Sequence, residues 1–514
     1  MKFGKILMKT LFVVVLFIAS AVFITGCNRV VTNEKGVLIL ESKPVAGGLL
    51  RLASVETKTL NPLMVNSKSY KDIVPLLFTG LFEMENNGTT VASLADEATY
   101  KATKFGCRVK LKKGLKWSNG SSIKPEDVKY SFDLLKNQPK SMYYSLVKDI
   151  SSCSIKNGAV SFQFEKNAPL KKGNLTFPIV KKGTTSEKKT IATNGRYKVS
   201  SHVNLDGMQF VANEKWGLGA KAFIPKVEVI FINDINVFVT AFQSQEVDVV
   251  NINNYDWSKY EEIRGTEALS YFTGEMEGVF FNCDSSILKD KRLRQAVAYG
   301  IDRQKLMNKY ILGNGLVTDV PIVPDSWLNE DKNVRYSLSY NDSKRLVEEI
   351  KPTTKLTLNL LINTKNEKRL SMAKDIKASL KEANIEVVIE SVSFAEYKSR
   401  ILSKKFEMYL GAAVLPEVQD FSVFLNNKLP FYIKPLPKDG AYSLAKIANG
   451  VEGEEKLLEA AKAFQSAFKE ELPYLPLYHK KGALILAGSI KGSADVARYN
   501  VFKSEGSWYF ERKK

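Results

Sequence analysis

Two histidines, His202 and His479, and four cysteines, Cys27, Cys107, Cys153 and Cys283, are the first residues to ask about chemistry. Two histidines leave little room for imidazole-based acid–base catalysis or for a His-rich zinc site. Cys107, Cys153 and Cys283 lie far apart, with no CxxC spacing and no histidine close by. They therefore carry no metal or redox signature. Cys107 and Cys153 both fall in strand-like patches and are the one candidate pair for a disulfide; buried free thiols are the expected state. His479 follows the apolar run Leu475–Tyr478 and reads as a structural imidazole. The chain contains no GxSxG elbow, no HExxH and no phosphate-binding Walker loop. Gly217-Leu-Gly-Ala-Lys-Ala222 matches a dinucleotide fingerprint only in letters, because no strand leads into it and Pro225 follows. Glu261-Glu262 and Glu348-Glu349 read as solvated helix faces. No enzyme and no cofactor are expected; a binding protein is.

Cys27 has a different setting. Lys2, Lys5 and Lys9 precede an apolar run from Leu11 to Ile24, broken only by Ser20 and ending in Ile24-Thr25-Gly26-Cys27. The stretch is short for a membrane span and has the flanks of a secretory signal. Ile24-Thr25-Gly26-Cys27 resembles the lipobox of bacterial lipoproteins. That resemblance implies cleavage after residue 26, lipidation of Cys27 and a place on the outer side of the cell membrane. Two acyl chains suffice for stable anchoring. Residues 27–45 then read as a polar tether.

With 514 residues, 44% hydrophobic and 25% charged, the chain can build a large core. The net charge of +20 is spread along its length. There is no basic block, zinc-finger spacing or RNA-binding aromatic signature, so nucleic acid is not an expected partner. A solvated surface facing an anionic envelope accounts for the lysines.

Beyond residue 46, β-like and helical patterns alternate. Leu49–Ala53 reads as a strand, Ile73–Phe82 as an apolar helix and Phe105–Leu111 as a strand. Lys124-Pro125-Glu126-Asp127 opens a helix to Lys136, with proline and acids where a helix start favours them. Cys153–Ile155 and Val160–Phe164 flank Asn157-Gly158 as a hairpin. Val227–Ile232, a helix over Asn236–Gln245 and Val247–Ile252 follow. Leu356–Ile362, a helix over Glu367–Glu382 and the alternating Ile385, Val387 and Ile389 form a βαβ unit, whose strands must be parallel. Leu370, Ala373, Ile376 and Leu380 share one face of its helix. A last long helix covers Glu454–Phe468, and Tyr474–Tyr478, Ala483–Leu486 and Trp508–Phe510 close the chain as separate short strands. The class is α/β.

Several segments, in order, resemble the peptide, oligopeptide and nickel solute-binding proteins of bacterial ABC importers, extracellular solute-binding family 5. They are Leu60-Asn-Pro62, Leu77-Phe-Thr-Gly-Leu81, Leu94-Ala-Asp-Glu97, Arg108–Gly114 with Trp117-Ser-Asn-Gly120, Pro125-Glu-Asp-Val128, Gln245-Glu-Val-Asp248, Phe281-Asn282, Arg292–Arg303 and Leu472–Tyr478. Thr193-Asn-Gly-Arg-Tyr197 departs from the pattern at Arg196, where proline is usual. Arg294 and Asp302, two helical turns apart, are expected to cap or pair and so fix a helix, not to touch ligand.

The resemblance implies a type II periplasmic-binding fold with two lobes, a two-stranded hinge and an extra subdomain on the N-terminal lobe. Lobe one is expected over 46–272 plus 481–514, with the subdomain near 64–190, and lobe two over 273–480. It implies a monomer that traps a peptide or other small solute between the lobes and hands it to permease subunits. A sensor on the same scaffold, or a binder of a metal complex, sugar or haem, are the alternatives.

Peptide-binding relatives carry a Trp and an ammonium-binding Asp after one strand. Here that run is Phe406–Phe421, with Ala in place of Trp and no Asp at the matching position. Gly411, Ala412, Ala413, Val414 and Leu415 are the expected backbone contacts by strand addition, with the alanines leaving room for bulky side chains. Glu417, one residue off, is the candidate anion. Either Glu417 substitutes for the Asp, or the ligand is not anchored by a free amine.

Overall fold

The computed structural model describes residues 44–511 apart from 186–190, 204–205, 235, 254–255, 262, 264, 351–355, 419, 437–439 and 494, and the strands Arg29–Thr32 and Leu38–Glu41. The expected signal segment, Cys27 and about half of the tether lie outside the described residues. Among the described residues no helix is long and apolar enough to cross a membrane.

Lobe one starts with β1 (Leu49–Ser54), whose alternate residues Leu50, Leu52 and Ser54 are buried. It continues into α1 (Lys68–Leu77), placed five residues earlier than the apolar pattern suggests. The helix stops at Leu77 because Asn194 and Gly195 donate their backbone N–H groups to its carbonyl, at 3.2 and 2.7 Å. A Cβ on Gly195 would lie 2.4 Å from the Leu77 carbonyl carbon, so this approach requires glycine. Thr79 is held by Asn194 through a reciprocal pair of bonds. Two of the recognised motifs are thereby one contact.

The extra subdomain is a four-stranded antiparallel sheet in the order 95–103, 106–111, 159–164, 150–156. Against it packs α2 (Pro125–Lys136). The Asp127 carboxylate accepts from Lys124 N, Lys182 N and Trp117 Nε1, which explains Trp117 and Asp127 structurally. The hairpin turns at Asn157-Gly158, both at positive φ. Cys107 and Cys153 stand opposite Phe162 from its two sides. Two strand spacings, roughly 10 Å, separate them, too far for a disulfide. Both are free and buried, and burial pushes each thiol up to about 12.

Lobe two and the crossing share one long ribbon. Strand β2 (Thr266–Phe281) leaves lobe one and enters lobe two, followed by α3 (Lys291–Tyr299) and α4 (Arg303–Ile311). The βαβ unit is β3 (Thr357–Asn363), α5 (Glu367–Glu382) and β4 (Glu386–Val392), with β3 and β4 parallel. Then come β5 (Met408–Val414), α6 (Glu454–Glu471) and β6 (Tyr474–Ala487). The stretch read as two strands, 474–478 and 483–486, is one fourteen-residue strand. Its half-buried centre, Lys480-Lys481, is where it passes between lobes, so the apolar run lapses there, while pairing with β2 resumes at His479 after a register shift.

The large sheet runs 197–203, 207–212, 226–231, β1, 249–252, β6, β2, β5, β3, β4. β2 and β6 are thus the two strands shared by both lobes. Their register shifts between Phe272, opposite Lys481, and Met276, opposite His479.

Arg294 and Asp302 do not pair. Arg294, 1% exposed, donates to the carbonyls of Leu288, Lys289, Glu471 and Leu472, stitching α3 to the end of α6. Asp302 caps α4 by accepting from Lys305 N at 2.9 Å. Asp302→Ala is expected to cost about 1 kcal/mol, read as a lower urea midpoint with unchanged slope.

Candidate functional site

Where the lobes meet, lobe one contributes α1, the loop after Phe164 and the C-terminal segment. Lobe two contributes the 320–329 loop, the segment after β5 and the entry to α6. The two sides touch: Trp327 N donates to Asn87 O at 2.8 Å, and Asn167 Nδ2 to Asn449 O at 3.1 Å. Between these contacts lies a cavity of about 400 Å³ walled by Tyr100, Lys171, Lys172, Trp327, Glu452 and Tyr499, among others. A second cavity, about 130 Å³, is bounded by Lys71, Arg196, Trp216, Lys503 and Tyr499. Glu417 belongs to both walls.

Of the six residues expected from sequence, the structure sets Glu417 at the centre of this region. Leu415 is buried and lines a separate small apolar slot with Phe421 and Phe424. Gly411, Ala412, Ala413 and Val414 lie on β5, paired with Gly278, Glu277, Met276 and Glu275 of β2. Gly411 packs under Tyr397, whose hydroxyl would sit 2.9 Å from an added Cβ. Ala413 is buried in the core of lobe two, while Val414 is 69% exposed. None of these four lines the two cavities. On the other edge of β5, β3 pairs only with Met408 and Tyr409. Tyr397 donates to the Leu410 carbonyl at 2.9 Å, and beyond it no strand pairs with that edge among the described residues.

The electrostatics are mixed. Lys171 is 5% exposed, donates to Ala168 O at 2.9 Å and lies over the Phe164 ring; burial holds its ammonium below the usual lysine range. Lys172 pairs with Glu97 at 2.7 Å and faces the Tyr100 ring. Asp325, on the 320–329 loop, is raised by desolvation against the pull of Arg498. Arg498 also donates to the carbonyls of Pro416 and Glu417. The wall offers both signs of charge and aromatic faces, which suits a zwitterionic or amide-rich solute. Among the described residues no three His, Cys, Asp or Glu side chains gather closely enough for a metal ion.

Two features of the site were not legible in sequence. Lys71 pairs with Glu417 across 346 residues, and no spacing rule links them. Arg196, noted as a departure from the family pattern, pairs with the fully buried Glu505 at 3.2 Å and lies over the Trp216 ring. His479 is fully buried, with Nε2 3.3 Å from the Val320 carbonyl, as a structural imidazole should be.

Comparison with known proteins places this architecture. The family model described as bacterial extracellular solute-binding proteins, family 5 middle, matches residues 89–429. The oligopeptide-binding protein AppA of Bacillus subtilis (strain 168) is 20% identical over 95% of this chain and 96% of its own. The solved structure of the murein tripeptide-binding protein MppA, in an unliganded open form, superposes with a TM-score of 0.80 at 16% identity, covering 91% of this chain and 99% of that one. The substrate-binding protein CtaP of Listeria monocytogenes gives 0.72 at 19% identity, covering 90% and 99%. The motifs, the two-lobed type II periplasmic-binding fold and the family match agree: this chain belongs to the bacterial extracellular solute-binding proteins of family 5.

Proposed function

We propose that this protein is the substrate-binding lipoprotein of an ABC importer, anchored through Cys27 on the extracytoplasmic face and capturing oligopeptides between its lobes. The observation that carries the peptide class is the interlobe cavity, with its aromatic and doubly signed charged walls. Gly411–Val414 offer an extended peptide main-chain hydrogen bonds by strand addition, and Glu417, a few residues on, lies in the cavity wall. The oligopeptide-binding relative, aligned over nearly the whole chain, supports the same class.

Lobe one, 46–272 plus 481–514, and lobe two, 273–480, close on the ligand by bending the β2–β6 ribbon. The register shift between Phe272 and Met276 is the weak point of that ladder. The closed form gains exactly as much population as the ligand's preference for it supplies. A permease would read the closed surface.

The test is mass spectrometry of the body, residues 28–514, purified under native conditions and then denatured. A co-purified family of peptides is the expected result. A cleft that stays empty after incubation with a mixed peptide library would overturn the peptide reading.

A further inference from the structure

Glu417 is the acid nearest the position where peptide-binding relatives hold an ammonium, yet its carboxylate already holds one. Lys71, on α1 of the opposite lobe, donates Nζ to Glu417 Oε1. The lysine side chain is 11% exposed and the glutamate 36%. The ammonium also lies 5.0 Å above the Tyr143 ring. Its sequence neighbour Asp72 is not available to it, being engaged by Lys68 and by Asn251 Nδ2. Glu417 is thus the only anion to which Lys71 is paired among the described residues. The Glu417 backbone is fixed as well, its carbonyl accepting from Arg498 at 3.4 Å.

We infer that Lys71 is a specificity-determining residue, a built-in cation that occupies the amine site and directs this protein to peptides whose N-terminus is uncharged. The inference rests on the peptide reading above and names the class of peptide. A ligand ammonium would have to displace Lys71 and leave that side chain, largely buried between Tyr143 and the cavity wall, without an anion. Stranding one member of a sequestered pair is unfavourable. A blocked N-terminus makes no such demand. Its amide N–H is neutral and can donate to Glu417 Oε2 while Lys71 keeps Oε1, so the charges stay balanced. The same pair joins α1 to the segment after β5, so it forms when the lobes meet and need not be broken for closure on a neutral end.

The experiment compares one peptide library prepared in two forms, free-amine and N-acetylated, by calorimetric titration against the body 28–514 and its variants. The unaltered protein is expected to bind the N-acetylated form at least tenfold more tightly. Lys71→Met should reverse the order, improving the free-amine form tenfold or more because Glu417 is released. Lys71→Arg, which restores a cation, should behave as the unaltered protein. Lys71→Met combined with Glu417→Gln should lose the gain, and thermal unfolding of each variant separates misfolding from changed selectivity. A tenfold preference of the unaltered protein for the free amine, or a Lys71→Met protein that folds but weakens both forms equally, would overturn the assignment while leaving the peptide reading standing. Failure of both forms with every folded variant would overturn the peptide reading and this inference with it.

Discussion

Replacing Arg303 with methionine is expected to remove about 3–5 kcal/mol from the stability of lobe two. Arg303 and Asp319 are almost sealed from solvent, with side chains 2% and 0% exposed and 2.7 Å apart. The guanidinium also donates to the carbonyls of Thr318, Pro476 and Tyr336. Asp319 in turn accepts from the backbone of Arg335 and Tyr336. Removing the cation leaves a buried carboxylate with two backbone donors and takes a donor from each of three carbonyls. The pair is not itself a source of net stability, because two charges had to leave water; breaking it is what costs. Urea unfolding followed by tryptophan fluorescence should show an early transition, with the midpoint moved and the slope unchanged. Arg345→Met is the contrast. Arg345 pairs with Glu349 at 2.7 Å on an exposed helix face, 57% and 42% open to solvent, and its loss should change stability by less than about 0.5 kcal/mol. Equal effects of the two substitutions would mean that burial does not govern these pairs.

Acid should destabilise the protein through His479. Burial of the whole ring pushes this imidazole down to about 4. Nε2 faces the Val320 carbonyl and acts as the donor, while Nδ1 meets no donor or acceptor among the described residues. A second proton would therefore be buried without a partner. The unfolded chain has no such restriction and takes up a proton near pH 6.5. Above that pH both states are neutral and the stability contribution is complete. As pH falls from about 6.5 toward 4 the unfolded state binds the proton and the folded state does not, so stability declines. Below about 4 both are protonated and the slope ends. The full span is worth roughly 3 kcal/mol. Carboxylates titrate in the same window, so the measurement is a difference: urea midpoints of the unaltered protein and His479→Phe between pH 7 and pH 4.5. The variant should lose less stability over that range, and parallel curves would show that folding leaves the proton affinity of His479 unchanged.

Much of the local structure was legible. The βαβ unit was read from a helical stripe between two alternating strands, and Ala373, Ile376 and Leu380 do turn inward. The hairpin followed from Asn157-Gly158, because few residues accept positive φ at two adjacent positions. The start of α2 followed from Pro125 and the acids beside it. Family motifs could be recognised as strings, and their physical roles became clear only in three dimensions: Trp117 and Asp127 bond each other, Gly195 abuts the end of α1, and Arg294 binds the end of α6. The misplacements have causes of the same kind. The α1 pattern drifted because Phe78 and Leu81 are buried by tertiary contacts beyond the helix. The long β6 was read as two strands because Lys480 and Lys481 interrupt its apolar alternation.

The candidate site shows the division most sharply. That Glu417 follows β5 could be taken from the chain, since a strand and the residues that follow it are contiguous. What Glu417 is bonded to could not. Lys71 comes from a helix in the other lobe, and only the folding of both lobes against the β2–β6 ribbon brings the two charges together. By itself the sequence determined the fold class, the family and most helices and strands, because apolar periodicity and turn chemistry act over a few residues. Tertiary structure alone decided the interlobe cavity, the burial of Arg303 and His479, and the occupied anion, because desolvation and charge pairing depend on which distant groups share the same few ångströms.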